Sequence, residues 1–102
     1  MAIELFGKTL SGPFTIPSGI VTTATPIIQY VFDHMPQVGV VTTKSIGLAP
    51  RLGNREPVYS QYAPGCFVNA VGLTNPGAEA SREMLAALRI PQDRFLLTSI
   101  FG

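Results

Sequence analysis

Apolar positions recur along the chain with two different periods, and the switches between them mark out the elements. A short apolar stretch, Ile3 to Phe6, is followed by Gly7-Lys8, and Thr9 to Pro13 contains the turn signal Ser-Gly-Pro. These residues predict a small hairpin-like lead-in. Phe14 to Val21 carries Phe14, Ile16, Ile20 and Val21 around Pro17-Ser18-Gly19. Proline cannot donate to a strand ladder, so the strand should end near Ile16. Thr25-Pro26 has the form of an N-cap with proline at the first helical position, and Ile27, Ile28, Val31 and Phe32 follow at helical spacing until Met35-Pro36. Gly39 to Thr43 is Val-rich, with β-branched residues on both faces, as in a strand buried inside a parallel sheet. Strand, helix and strand together form a βαβ unit.

From Gly47 to Gly77 the periodicity lapses into Gly, Pro and polar residues, which reads as a long functional loop. Ala78 to Leu88 predicts a second helix with Ala80, Met84, Leu85 and Leu88 on one face, broken by Pro91. Phe95 to Ile100 predicts a third parallel strand. The order is an α/β pattern, and it matches the N-terminal part of a (β/α)8 TIM barrel, incomplete in this chain, since such barrels take about 250 residues. The alternative is a complete three-stranded α/β domain, which would leave the last strand as an exposed apolar edge.

Composition narrows the function classes. The chain has 102 residues, 46% hydrophobic and only 13% charged. About a quarter charged is usual, so part of this surface should be covered by more of the same domain or by a partner. The formal net charge of +1 gives no attraction to nucleic acid or anionic membrane. No apolar run approaches the roughly 20 residues of a membrane helix. A single cysteine, Cys66, excludes an internal disulfide and fits a reducing compartment, and the N-terminus lacks the order of a signal peptide. The cytoplasm is the expected location.

Three clusters fall where strands end, the place where such folds bind ligands. Pro17-Ser18-Gly19 combines a hydroxyl with a glycine that lets backbone approach a ligand, although an ordinary turn uses the same residues. Thr42-Thr43-Lys44-Ser45 places a lysine directly after a buried strand, where its ammonium either meets an anion or emerges at the rim. Asn69 to Gly77 holds two asparagines, two glycines and a proline beside apolar residues. Such a loop can present amides to a planar ligand, or serve as a turn-rich connector. His34 reads as a surface residue late in the first helix, and Cys66 has no activating neighbour in sequence. No metal-ligand spacing or dinucleotide fingerprint is present.

Together these pieces resemble the dihydroorotate dehydrogenase family. Val41 to Pro57 is similar to its T-K-S/T-x-x-x-x-P-R-x-G-N-x-x-P segment, and Pro64 to Gly77 to its P-G-x-x-x-N-A/S-x-G-L-x-N-x-G loop. Ser18-Gly19 matches the A-S-G after the first barrel strand, with Pro17 in place of alanine, and Thr98 to Gly102 resembles the third strand end. The resemblance runs through essentially the whole chain. It implies a single FMN-dependent barrel domain that oxidises dihydroorotate to orotate in pyrimidine biosynthesis, with residues 1–102 as its N-terminal portion. By resemblance Ser18, Gly19, Lys44 and Ser45 would contact FMN. Lys44, Asn69, Ala70, Val71, Gly72 and Leu73 would contact orotate. The family's proton-abstracting Cys or Ser lies on a later loop, so no catalytic residue is expected within these 102 residues, and Cys66 lies in the wrong motif. Expected partners are the rest of the barrel, a second copy, or an iron–sulfur flavoprotein subunit. The wording Asn-Ala-Val-Gly-Leu-Thr-Asn-Pro-Gly points to the NAD-using type and Thr43-Lys44-Ser45 away from it, leaving the electron acceptor open between fumarate, NAD and others. A non-catalytic remnant or assembly fragment, and a barrel of the dihydropyrimidine dehydrogenase kind, are the alternative readings.

Overall fold

The structure, a computed structural model, describes residues 3–20, 22 and 24–102. Its first elements are the antiparallel strands β1 (Ile3–Leu5) and β2 (Lys8–Leu10), joined by the tight turn at Phe6-Gly7. A lead-in hairpin is present as predicted, but the Ser-Gly-Pro turn signal lies beyond β2 and not at the hairpin's turn. β3 (Phe14–Ile16) ends directly before Pro17, as the missing N–H requires. Val21, read as part of the following apolar stretch, lies outside the described residues.

Helix α1 (Thr25–His34) begins one residue earlier than the sequence predicts. Ala24 is the N-cap, in extended conformation and without a side-chain hydrogen bond, so Thr25 is not the cap. Proline in the first turn starts the helix at no cost because it has no N–H to orphan. Ile28, Val31 and Phe32 are buried, whereas Ile27 turns outward. They pack on β4 (Val38–Thr42), burying Val38 and Val41, with Ile16, Met35, Leu88 and Leu96 around them. Val41 is fully enclosed. At roughly 1.5–3 kcal/mol per fully buried aliphatic side chain, this cluster is the main source of stability.

The segment after β4 corrects the expectation of an irregular loop. It contains an antiparallel hairpin, β5 (Tyr59–Ala63) and β6 (Cys66–Asn69), turning at Pro64-Gly65. Both strands are exposed, so neither shows the alternation that a half-buried strand would print on the sequence. Tyr59 stacks on Phe67 with ring centroids 5.3 Å apart. Helix α2 (Ala78–Ala86) follows Gly77. Its inner face matches the predicted one only in part: Leu85 and Leu88 are half-buried as expected, but Ala80 and Met84 are exposed and Ser81 is buried.

β7 (Phe95–Leu97) is shorter than the predicted strand, and an isolated parallel bridge between Ile46 and Ile100 resumes the pairing. The three core strands form one parallel sheet in the order β3-β4-β7. The fold is therefore mixed α/β with a parallel sheet, as predicted. The lead-in hairpin sits at the N-terminal end of this sheet. There Ser11 N donates to Asp93 O at 3.0 Å, and Lys8 Nζ donates to Arg94 O at 3.1 Å and lies 4.6 Å from the Phe95 ring. Arg94 is buried and donates to Val38 O. The carboxyl end of the sheet is left to the loops.

Candidate functional site at the strand ends

Three serines from three strand ends meet in a row. The Ser18 and Ser45 hydroxyls lie 3.4 Å apart, and those of Ser45 and Ser99 lie 2.7 Å apart. Ser18 follows β3, Ser45 follows β4 and Ser99 follows β7, so strand order alone lines them up. Ser18 is exposed, and Ser45 and Ser99 are half-buried. Beside Ser18, Gly19 has a φ of +85°, its N–H donates to Thr22 Oγ1, and the space a Cβ would fill is open. Lys44, half-buried, stands between the buried Thr43 and Ser45. The two ion pairs among the described residues, Arg89–Asp33 and Arg94–Asp93, leave its ammonium out.

Asn69 to Leu73 belong to a second unit, clamped by residues 51–54. Asn54 Nδ2 donates to Ala70 O at 2.7 Å, Asn54 N to Val71 O at 2.9 Å, and Arg51 Nε to Gly72 O at 2.6 Å. Three consecutive carbonyls are thus tied to one side. Gly72 and Leu73 both have positive φ, 85° and 55°. A Cβ on Gly72 would lie 2.8 Å from Asn54 N, so close approach as well as φ demands glycine there. Asn69 is exposed, and its Oδ1 accepts from Val71 N at the long distance of 3.5 Å. Consecutive N–H groups in left-handed conformation form a concavity suited to an anion.

Asn75 joins the two units. Buried, it accepts from Gly47 N at 3.1 Å and Gly77 N at 2.9 Å through Oδ1, and donates to Leu73 O at 2.8 Å. Sequence reasoning placed Arg51, Asn54, Asn75 and Ser99 inside motifs without giving them tasks. The turn-forming spacing Asn75-Pro76-Gly77 was the available signal for one of them. His34 is exposed, as read from the sequence, and stacked on Tyr30, while Cys66 is exposed on the hairpin instead of in an irregular loop.

A cavity of about 490 Å³ lies between α1 and α2, walled by Ile28, Met84 and Leu85, with Lys44 and Arg51 also lining it. Ser18, Ser45 and Ser99 do not line it. Besides the helices, the strand end and the clamped segment wall it, through Thr43, Lys44, Thr74 and Asn75. Among the described residues no helix is long and apolar enough to cross a membrane, and no cluster of His, Cys, Asp and Glu could hold a metal ion.

The family model described as dihydroorotate dehydrogenase matches residues 1–99. The catalytic subunit of dihydroorotate dehydrogenase B (NAD(+)) from Pyrococcus furiosus is 37% identical over 100 residues, 98% of this chain and 32% of that protein. The subunit of the same name from Thermococcus kodakarensis is 35% identical over 102 residues, covering all of this chain and 32% of that protein. The one from Desulforudis audaxviator is 35% identical over 79 residues, 78% of this chain and 25% of that protein. The chain thus spans about a third of the length of the curated relatives it matches.

Proposed function

The chain belongs to the dihydroorotate dehydrogenase family, and from that premise we propose that it forms the N-terminal part of a cytoplasmic, FMN-dependent (β/α)8 barrel domain oxidising dihydroorotate to orotate in pyrimidine biosynthesis. The observation that carries the reading is the row Ser18–Ser45–Ser99, with Lys44 beside it, at the carboxyl ends of three adjacent parallel strands. That is where barrel enzymes assemble their sites.

The residues suit a flavin. Ser18 and Ser45 offer hydroxyls that can donate or accept along a heteroaromatic edge, and the open face of Gly19 admits close approach. Bound FMN supplies the hydride acceptor. The Lys44 ammonium opposes the negative charge that gathers on the pyrimidine side of the flavin, and reaches the substrate as well. Asn69, Ala70, Val71, Gly72 and Leu73 hold orotate. The backbone N–H groups of Gly72 and Leu73, turned by the clamp at 51–54, are offered to its carboxylate, while Val71 and Leu73 pack on the ring. The proton leaves to a residue on a later loop of the full-length protein. The relatives are named catalytic subunits, which supports an iron–sulfur flavoprotein subunit as partner and NAD as final acceptor.

Purified full-length protein tests this directly. It should retain FMN, and anaerobic dihydroorotate should bleach the flavin absorbance. Protein that holds no flavin, or flavin that dihydroorotate leaves oxidised, overturns the proposal.

A further inference from the structure

Regular pairing of β7 with β4 stops at Leu97, opposite Thr42. One residue further on, Thr43 N still donates to Leu97 O at 2.8 Å. The next donor on the β7 side, Ser99 N, takes no backbone carbonyl of β4. It donates instead to Thr43 Oγ1 at 3.1 Å. Thr43 is 3% exposed, so the acceptor that its hydroxyl supplies in place of a ladder carbonyl is on a buried side chain. Ser99 O accepts from Ile46 N at 2.9 Å, which holds the Ser99 backbone from its other side. Only then does the Ser99 hydroxyl come within 2.7 Å of Ser45.

We infer that Thr43 is a positioning residue. Its buried hydroxyl fixes Ser99, and through Ser99 it sets the hydroxyl row on which the flavin rests. The inference depends on the FMN reading above. Threonine suits the task because branching at Cβ restricts χ1, which aims the oxygen. Valine has the same shape without the acceptor. It would leave the Ser99 N–H part-buried and unpaired, and that segment would shift toward whatever acceptor it could find. Ser45 would then keep only its 3.4 Å neighbour Ser18.

The test is FMN affinity of the full-length protein, read from flavin fluorescence, alongside thermal unfolding of the apoprotein. Thr43→Val should raise the FMN dissociation constant about tenfold, and Thr43→Ser should restore it to within about twofold. Ser99→Ala should weaken FMN by a similar factor. Because the two residues act in series, the double variant Thr43→Val/Ser99→Ala should be no worse than either alone. Unchanged affinity in Thr43→Val, equal loss in Thr43→Ser, or additive losses in the double variant would overturn the inference while leaving the FMN reading intact. If Thr43→Val does not fold, Thr43→Ser decides: near-normal affinity supports the role of the hydroxyl, and a tenfold loss refutes it. Wild-type protein that cannot hold FMN overturns the underlying reading and this inference with it.

Discussion

Lys44 and Gly72 show two ways in which one residue serves the proposed site. Lys44 brings a charge to the end of a buried strand, with its ammonium outside both ion pairs of the described residues. Its contribution lies in what it will meet, so its loss should touch chemistry and spare the fold. Lys44→Ala should slow reduction of bound flavin by dihydroorotate by roughly a hundredfold, the scale of losing one preorganised electrostatic contact. Thermal stability should move by less than about 0.5 kcal/mol. Stopped-flow absorbance and a melting curve read the two effects, and unaltered reduction kinetics would remove Lys44 from the mechanism. Gly72 contributes by having no side chain. Alanine there must hold a φ of +85° and place its Cβ 2.8 Å from Asn54 N. The left-handed conformation alone costs about 1–2 kcal/mol, and relief of the clash would push the loop off its clamp. Gly72→Ala should therefore weaken orotate about ten- to a hundredfold, measured by titration against the flavin absorbance. Intact orotate affinity would show that the loop serves another end.

Among elements, the connection between β4 and α2 depends on Asn75. One buried amide ties Gly47, just beyond β4, to Gly77 at the start of α2, and also holds Leu73. Asn75→Ala would strand two buried N–H donors. At about 1–3 kcal/mol for each unsatisfied group, the full-length protein should lose roughly 3 kcal/mol in denaturant unfolding. Asn75→Leu keeps the volume without the oxygen, so it should lose about as much as Asn75→Ala. A distinctly smaller loss in Asn75→Leu than in Asn75→Ala would mean that the side chain acts by volume and not by its oxygen. The hairpin β5–β6 has no comparable anchor. Its strands are exposed almost throughout, with Tyr59, Tyr62, Phe67 and Val68 presented outward. Its tie near the base is Ala70 N donating to Val58 O at 2.7 Å.

For the whole molecule, surface and size are both larger than a self-contained domain of this mass would have. The accessible area is 7101 Å², whereas a compact protein of 10.9 kDa is expected near about 5,600 Å². The radius of gyration is 15.4 Å, against about 13 Å for a compact chain of this length. The excess is apolar in part. Leu97 on β7, Ile100 beyond its end, Phe14 on β3, and Leu48 and Leu52 in the segment between β4 and β5 are exposed. At about 25 cal/mol per Å², several hundred Å² of uncovered apolar surface is comparable to the net stability of an ordinary domain, about 5–15 kcal/mol. The 102-residue polypeptide on its own should therefore self-associate or unfold without a sharp transition. Sedimentation combined with denaturant titration checks this. A cooperative two-state transition from a dilute monomer would contradict it.

Periodicity by itself determined α1, β4 and their mutual packing, because Ile28, Val31, Phe32 and Val41 carry their burial in local spacing. The two long motifs were also legible in sequence, and with them the family. What periodicity missed has no local signature. The hairpin at 59–69 buries neither face, so nothing selected an alternating pattern. The inner face of α2 includes Ser81, which a count of apolar positions passes over. Only tertiary structure joined Arg51 and Asn54 to the carbonyls of Ala70, Val71 and Gly72, through bonds spanning 16 to 21 residues. Likewise it brought Ser18 to Ser45 across 27 residues and Ser45 to Ser99 across 54. The physical reason is the parallel sheet. Its crossovers place residues distant in sequence at neighbouring strand ends, and a hydroxyl that hydrogen-bonds there leaves no periodic trace along the chain.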